Sequence, residues 1–309
     1  MEEQQPQKTE KKSFSEKFAK FHDKNYKLLL IIPLILIISG FVYMGFFYSQ
    51  NGDFIHKDIS LTGGTSVTIN DENVNLKDLE NAIYNKLESV NIREVSDLLT
   101  NKQIAVIVET RSNDTRTKEI LEDYLNYPLI NGQNCNFEFT GATLSEGFYR
   151  QLLIALLIAF VLMAIVVFIQ FKSFIPSMAV ILSAFADIFM TLVLVNLLGI
   201  SISTAGIVAI LMLIGYSVDT DILLTNKVLK REGKSLNGRI FDAFKTGITM
   251  TLTSLLAVLA ALIILGQLSS ILSQIFTIMV IGLSFDIMNT WLTNVSIIKW
   301  YVKKKKHEN

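Results

Sequence analysis

Two aspartates lie two positions apart in a stretch that otherwise has the composition of a membrane-spanning helix. They are Asp219 and Asp221, in the sequence LMLIGYSVDTDILL from Leu211 to Leu224. An aspartate costs about 2.5 to 3.5 kcal/mol at the centre of a spanning helix, whereas a leucine or isoleucine contributes only about 0.3 to 0.6 kcal/mol to insertion. A role other than stability is therefore indicated for both carboxylates.

Two further aspartates, Asp187 and Asp286, lie in other apolar runs of the chain. Within the second to sixth predicted spans, basic residues occur only at the ends, at Lys172 and Lys299. A carboxylate without a counter-charge in a medium of low dielectric tends to retain its proton. The four aspartates therefore predict a proton relay, or a site whose counter-charge comes from another chain.

The two neighbouring aspartates are expected to have different roles. Residues two positions apart on an α-helix point about 200° apart, so Asp219 and Asp221 cannot share a face. Asp219 shares a stripe with Gly215, where a neighbouring helix could approach closely. We expect Asp219 to be the coupling residue. We expect Asp221 to be mainly local, either reaching towards the interface or hydrogen-bonded to Ser217 and Thr225.

Paired intramembrane aspartates also occur in aspartyl proteases, where two carboxyl groups share a proton. Those proteases carry Tyr-Asp and Gly-x-Gly-Asp signatures, whereas the corresponding stretches here are AFAD and GYSVD. The external segment also offers no set of Ser, His and acid residues around a nucleophile. Proteolysis is a remote alternative, and we expect no catalytic residues.

Nucleotide, metal and cofactor sites are not indicated by the sequence. The Gly-Lys-Ser at 233–235 resembles a phosphate loop, but such a loop needs a glycine at the position of Val228. The single cysteine, Cys135, cannot form an intrachain disulfide or a cysteine-based metal site. We expect no cofactor, no metal, no nucleotide and no nucleic-acid partner.

Six apolar runs predict six transmembrane helices. The first covers 28–48, after a basic tail at 1–27; the others lie near 151–171, 177–198, 202–225, 247–265 and 271–298, within 150–299. Basic residues cluster in the tail, in a loop at 226–246 and in the tail at 300–309. The positive-inside rule therefore predicts that both termini are cytoplasmic.

The segment 49–149 has the pattern of a soluble domain on the outer side. Within 51–148 it carries 16 Asp and Glu residues against 8 Lys and Arg. Its periodicity predicts the order β-α-β-β-α-β, with Asn75 and Asp114 as the caps of the two helices. This order is typical of a ferredoxin-like α+β sandwich, in which both helices cover one face of an antiparallel sheet.

Two motifs add a family resemblance to this architecture. The external segment opens with SLTGGT, which keeps Thr62, Gly63, Gly64 and Thr65 of the motif Asp-Phe-Thr-Gly-Gly-Thr but has Ser60 in place of Asp. The fourth span contains Gly215, Tyr216 and Ser217, in GYSVDTDILL. Over roughly 28–301, the chain resembles the SecF family of the resistance-nodulation-division superfamily, and its DIMNTWLTN stretch is closer to archaeal forms.

The resemblance implies a function in protein transport. It implies a subunit of the cell membrane that pairs with SecD and works beside a SecYEG-type channel, assisting late translocation of the exported polypeptide by the proton motive force. It also implies that Asp219 is the proton-responsive residue and that Asp187 is a family aspartate of the third span. The alternative, a proton-coupled small-molecule or lipid transporter of the same superfamily, would need far larger external domains to enclose its substrate.

Overall fold

A computed structural model describes residue 26 and residues 28–96, 102–230, 235–265 and 270–308. In chain order the elements are α1 (Ile31–Asn51), α2 (Ile59–Thr62), β1 (Gly64–Ile69), α3 (Leu76–Ile83), β2 (Asn91–Ser96), β3 (Gln103–Thr110), α4 (Asp114–Leu125), β4 (Cys135–Thr140), α5 (Ala142–Phe171), α6 (Phe174–Leu197), α7 (Thr204–Lys230), α8 (Leu236–Leu265), α9 (Ser270–Asn289), a π-helical segment (Thr290–Asn294) and α10 (Val295–Glu308).

The six predicted spans are confirmed. Helices α1, α5, α6, α7 and α8 are each long and apolar enough to cross a membrane, and the sixth span runs through α9, the π-helical segment and α10. The third and fourth spans, α6 and α7, are the most buried of the six, whereas α5 and α8 lie largely exposed on the outside of the bundle. Polar groups on the buried faces of α6 and α7 are therefore shielded from lipid.

The predicted basic loop at 226–246 is largely helical. Helix α7 continues to Lys230 and α8 begins at Leu236. Val228 of α7 and Ile240 and Ala243 of α8 are buried in one cluster. The Gly-Lys part of the Gly-Lys-Ser stretch lies outside the described residues.

The external segment has the predicted ferredoxin-like fold. Its four strands form an antiparallel sheet in the order β2-β3-β1-β4, and α3 and α4 cover one face. Asn75 caps α3 as expected, accepting hydrogen bonds from two backbone amides of the first turn. The cap of α4 is Asn113 rather than Asp114, because Asn113 has the extended backbone that lets its side chain accept from Arg116 N.

Backbone contacts join the external domain to the outer end of the bundle. Asp58 N donates to Ile202 O at 3.0 Å, and Ile202 N donates to His56 O at 2.6 Å. Asn196, at the end of the third span, donates its side-chain amide to Phe54 O at 2.6 Å. The segment that enters the domain is therefore held against the connection between the third and fourth spans.

Candidate functional site

Three of the four predicted aspartates meet inside the bundle. Asp187 of α6, Asp221 of α7 and Asp286 of α9 each have an exposure of 0%. Small residues let these helices approach closely: a Cβ placed on Gly282 of α9 would overlap the Leu213 side chain of α7. We call Asp187, Asp221 and Asp286, together with the side chains bonded to them, the carboxyl cluster.

Asp187 links three spans through its two oxygens. Ser217 of α7 donates its hydroxyl to Asp187 Oδ2 at 2.5 Å, and Asn289 at the end of α9 donates its amide to Asp187 Oδ1 at 2.6 Å. The serine of the GYS motif therefore holds the third-span carboxyl group against the fourth span.

One hydroxyl lies between the other two carboxyl groups. Thr290 Oγ1 is 2.9 Å from Asp221 Oδ1 and 3.2 Å from Asp286 Oδ1. A hydroxyl carries one hydrogen and can donate it to only one of these oxygens. The second contact becomes a hydrogen bond when the other carboxyl group is protonated and donates to Thr290. The geometry therefore fits a proton shared between Asp221 and Asp286.

The π-helical segment determines which side chains reach the cluster. It presents both Thr290 and Asn294 to Asp221 Oδ1, and Asn294 Nδ2 donates to this oxygen at 2.7 Å. Single π-helical turns inside α-helices are frequent at functional sites. Three polar residues of the sixth span were not predicted as site residues from the sequence: Asn289, Thr290 and Asn294. The signal available was the presence of amide and hydroxyl side chains in an otherwise apolar run.

Asp219 lies outside the carboxyl cluster. It is exposed on α7, on the same face as Met212, Gly215 and Tyr216, which are also exposed. No other side chain comes within 4 Å of a Cβ placed on Gly215. Within this chain, no neighbouring helix of the described residues occupies the stripe on which Asp219 lies.

The expected surroundings of Asp221 are wrong. We expected a mainly local aspartate bonded to Ser217 and Thr225, but Ser217 donates to Asp187, and Asp221 accepts from Thr290 and Asn294 of the sixth span. Asp221 does lie on the same buried face of α7 as Ser217 and Thr225. The error arose because the third and sixth spans supply nearer partners, which no pattern within α7 can reveal.

Among the described residues, none of the three clustered carboxyl groups forms an ion pair with a lysine or arginine. In the same part of the chain, no group of three or more His, Cys, Asp or Glu side chains is arranged to hold a metal ion. The cluster is thus an acidic, hydrogen-bonded site with hydroxyl and amide partners, which suits it to binding and releasing a small cation such as a proton.

The TGGT residues shape the entrance to the external domain. Gly63 and Gly64 have φ values of 76° and 141°, and a Cβ on Gly64 would overlap the Thr110 carbonyl oxygen. Thr62 Oγ1 donates to Asp58 O at 3.3 Å, and Thr65 Oγ1 donates to Ser112 O at 2.8 Å. The role of these residues is structural, because they fold the chain tightly against the sheet.

Ser60, which replaces the usual aspartate of this motif, contacts the fourth span. Its hydroxyl oxygen accepts a hydrogen bond from Thr204 N, the first residue of α7, at 3.2 Å. An oxygen at this position satisfies one of the free amides at a helix N-terminus. Ser60 therefore connects the entrance of the domain to the fourth span by a hydrogen bond.

Charged side chains that do not belong to the carboxyl cluster line a cleft of about 540 Å³ between the sheet and the bundle. Arg93 pairs there with Glu109 and lies 4.0 Å from Asp58. Burial raises the pKa of Glu109, and the Asp58 carboxylate raises it further, although Arg93 and Asn91 act in the opposite direction. Glu109 is therefore a proton-sensitive group on the domain side of the cleft.

Similarity to known proteins identifies the family. Residues 121–304 match the model of the protein-export membrane protein SecD/SecF, C-terminal. The chain is 39% identical over 285 residues to protein-export membrane protein SecF of Methanocaldococcus jannaschii, with 90% of this chain and 96% of the relative covered. It is 38% identical over 281 residues to SecF of Methanolacinia petrolearia, with 90% and 94% covered.

The fold agrees with a solved structure. The crystal structure of SecDF from Thermus thermophilus superposes with a TM-score of 0.67 at 21% sequence identity, and the match covers 94% of this chain. This chain spans 38% of that longer SecDF chain. The sequence resemblance to SecF is thus confirmed along nearly the whole length of the chain, which belongs to the SecF family of protein-export membrane proteins.

Proposed function

We propose that this protein is the SecF subunit of a SecDF complex and assists late stages of protein export across the cell membrane, using the proton motive force. Its near full-length match to SecF proteins supports the export role. In SecDF of Thermus thermophilus the matching region is 38% of one longer chain. Here the remainder of that chain would be a separate SecD polypeptide, acting with this one beside a SecYEG-type channel.

The position of Thr290 between two carboxyl groups is the main support for coupling of export to the proton motive force. Moving one charge through the membrane potential yields about 2.3 kcal/mol per 100 mV, and only a group that titrates within the membrane can use this energy. Asp221 and Asp286 compete for a single hydroxyl hydrogen, so one proton gained or lost changes their bonding to Thr290.

The same proton would alter the contact between the fourth and sixth spans. Loss of the shared proton leaves two negative carboxyl groups on either side of one hydroxyl, and their repulsion favours a wider packing of α7 against α9. The outer end of α7 begins at Thr204, which is bonded to Ser60 of the external segment. A shift of α7 would therefore be transmitted to the domain, which would act on the emerging polypeptide.

The exposed face of α7 supports a partner in the membrane. Asp219 is a carboxylate within a spanning helix on a face that no other helix of the described residues covers. An aspartate side chain is too short to reach water from this depth, so we infer that a polar helix of SecD meets this face. In this arrangement Asp219 serves as a coupling residue at the subunit contact, whereas the carboxyl cluster lies within SecF.

We infer that both termini are cytoplasmic and that residues 49–149 are extracytoplasmic. The sixth span ends in four lysines, at 303–306, which the positive-inside rule assigns to the cytoplasmic side. Membrane lipid surrounds the exposed apolar faces of α1, α5 and α8. The role is one of force transmission rather than catalysis.

Export from energised membrane vesicles tests the proposal. Asp187→Asn, Asp221→Asn and Asp286→Asn should each insert normally but lose the part of export that an uncoupler abolishes in the wild type. The exposed Asp78→Asn on α3 is the matched control and should export as the wild type does. Export that stays sensitive to the uncoupler in all three cluster variants would refute proton coupling at this site.

Co-purification tests the partnership. A tagged chain solubilised in a mild detergent should recover a SecD protein in constant ratio. Replacing Gly215 with leucine, which fills the open stripe beside Asp219, should reduce this recovery without unfolding the chain. If the chain purifies alone and restores export to cells that lack both subunits, the obligate pairing is refuted.

A further inference from the structure

We propose that a cleft between the start of the first span and the end of the sixth span binds one anionic phospholipid. The upper part of one lipid chain would lie in the cleft, and the phosphate would lie beside Lys299 and Lys303. The cleft has a volume of about 370 Å³, and the described residues that line it are Tyr26, Leu30, Ser296, Ile297 and Trp300. This site is separate from the carboxyl cluster and goes beyond the proposed export function.

Aromatic side chains place the cleft at the membrane surface. Tyr26 lies one helical turn before Leu30, whose backbone amide donates to Tyr26 O at 3.3 Å. On the other wall, α10 continues from Ile297 and Trp300 into the four lysines at 303–306. Tyrosine and tryptophan concentrate at the level of the lipid headgroups. The cleft is therefore located where a headgroup joins its lipid chains.

Lysine amines surround the aromatic rings of the cleft. Lys299 Nζ and Lys303 Nζ lie 5.7 and 5.0 Å from the centroid of the Tyr26 ring, and Lys304 Nζ lies 5.7 Å from that of the Trp300 ring. Like charges one helical turn apart repel each other, and a phosphate beside them lowers this repulsion. None of the described residues that line the cleft is acidic. The charge therefore favours a negative headgroup over a zwitterionic one.

The Ser296 hydroxyl is a further polar group of the cleft. Ser296 is only 2% exposed, and its Oγ has no hydrogen-bond partner among the described residues. A hydroxyl can donate its hydrogen to an acceptor that enters the cleft, and this bond removes the cost of an unsatisfied buried group. The oxygens that link the glycerol of a phospholipid to its chains are acceptors of this kind.

The polar groups of α10 follow the order of the groups in a phospholipid. Ser296 is three positions before Lys299 and seven before Lys303, so the three lie near one stripe of the helix, with the lysines about 4.5 and 10 Å further along its axis. The serine is thus deeper in the membrane than the amines, as glycerol oxygens are deeper than phosphate. Inorganic phosphate would use the lysines alone, so the serine and the apolar walls select a lipid.

A bound lipid would connect the first span to the sixth span near the carboxyl cluster. Asn294, which donates to Asp221 Oδ1, lies two positions before Ser296. Basic pockets between spanning helices bind anionic headgroups in this way. The packing of α1 against α10, and with it the position of the π-helical segment, would then depend on the anionic lipid content of the membrane.

Addition of lipid to the purified full-length chain in detergent tests the site. Phosphatidylglycerol is compared with phosphatidylcholine of the same chains and with inorganic phosphate alone, at equal ionic strength. Native mass spectrometry counts the lipids that stay bound, and thermal unfolding gives the midpoint temperature Tm. We expect one phosphatidylglycerol to be retained and to raise Tm, since a ligand that binds only the folded state stabilises it. Phosphatidylcholine and inorganic phosphate should leave Tm unchanged.

Three variants localise the binding. Lys299→Gln and Lys303→Gln should each weaken phosphatidylglycerol binding about fivefold, which is the effect expected for one lysine beside an anionic lipid. Ser296→Ala should weaken it as well, because the lipid loses a hydrogen-bond donor, but should keep the preference for the negative headgroup. Lys303 is partly exposed, so Lys303→Gln keeps the test informative should the buried Lys299→Gln fail to fold.

Lys172→Gln is the matched control for loss of a positive charge. Lys172 is exposed at the same end of the bundle, next to Ser173, whose hydroxyl lies 3.1 Å from Tyr301 Oη of α10. It does not line the cleft. Its affinity for phosphatidylglycerol should equal that of the wild type, and a loss as large as in Lys303→Gln would show general attraction to a basic surface and overturn the proposal.

Three other results would also overturn it. Phosphatidylcholine could bind and stabilise as well as phosphatidylglycerol does, or inorganic phosphate alone could produce the same rise in Tm. Lipid binding that appears only in a chain lacking residues 2–22 would show that the N-terminal segment fills the cleft. Binding is measured without export, so a negative result leaves the proposed export function standing.

Discussion

Asp219 and Asp221 lie two positions apart on the fourth span, yet one is exposed and the other is completely buried. Asp221 accepts hydrogen bonds from Thr290 and Asn294 of the sixth span, whereas Asp219 faces outward beside Gly215. The helix thus presents one carboxyl group to its own bundle and one to its surroundings. This division suggests that protonation can act at two places on one helix. One lies within the subunit, at Asp221, and the other at its contact with a partner, at Asp219.

Replacing Asp219 tests the outward-facing site. Asp219→Asn should insert and fold normally, because its exposed side chain does not touch the carboxyl cluster. It should lose gradient-dependent export, because the proton-responsive charge at the subunit contact is gone. Release of a secreted substrate from energised membranes, with and without an uncoupler, measures this. Wild-type export that keeps its sensitivity to the uncoupler would show that Asp219 is structural.

Replacing Ser217 tests the link between the third and fourth spans. Ser217→Ala leaves Asp187 Oδ2 without its 2.5 Å donor, and an unsatisfied buried acceptor costs about 1 to 3 kcal/mol of folding stability. Ser177→Ala is a suitable control, since this equally buried hydroxyl donates only to backbone carbonyls. Thermal unfolding in detergent should show a lower midpoint for Ser217→Ala than for Ser177→Ala, and equal midpoints would contradict the assigned contact.

The external domain should fold without the membrane bundle. Residues 55–148 contain all four strands and the cluster of apolar side chains between the sheet and α3 and α4. Expressed alone, this segment should be a soluble monomer with mixed helix and strand. Circular dichroism and the dispersion of amide resonances measure this, and a disordered spectrum would show that the bundle is needed to hold the domain together.

Replacing Gly64 should destabilise this domain. Alanine at this position needs an unfavourable φ of 141° and brings its Cβ into the Thr110 carbonyl oxygen, so we expect a loss of at least about 1 to 3 kcal/mol. Gly141→Ala is the control, because no atom lies within 4 Å of a Cβ there. Urea unfolding of the isolated segment compares the two, and similar midpoints would contradict the tight turn.

The stability of the full-length chain should depend on Glu109 through its pKa. Burial raises the pKa of Glu109 above the usual 4.5, so the folded state binds its proton more tightly than the unfolded state does. The stabilising effect of this proton is therefore present at low pH and is lost as the pH rises through the folded pKa.

A substitution isolates this effect. In Glu109→Gln the side chain stays neutral, so the fall in Tm on raising the pH above about 4.5 should be smaller than in the wild type. Glu138→Gln, on the edge strand β4 of the same sheet, serves as the control for replacing a carboxyl group by an amide. An unchanged profile in Glu109→Gln would show that another group causes the dependence on pH.

The sequence by itself determined the number of spans, the order of strands and helices in the external domain, and the family. These follow from local patterns: runs of about 20 apolar residues make spans, and alternation and caps such as Asn75 mark strands and helices. The sequence also indicated a functional role for the carboxyl groups inside the membrane. The free energy needed to place an aspartate in a spanning helix is high, and this can be recognised from the composition of the helix alone.

Only the tertiary structure decided which of these carboxyl groups meet. Ser217, Asn289, Thr290 and Asn294 become partners of Asp187 and Asp221 because separate spans pack together, and no pattern within one helix encodes this. The π-helical segment adds to this, since one widened turn changes which side chains face Asp221. Burial separates Asp221 from Asp219 for the same reason: helical periodicity assigns two faces, but only packing determines which face is covered.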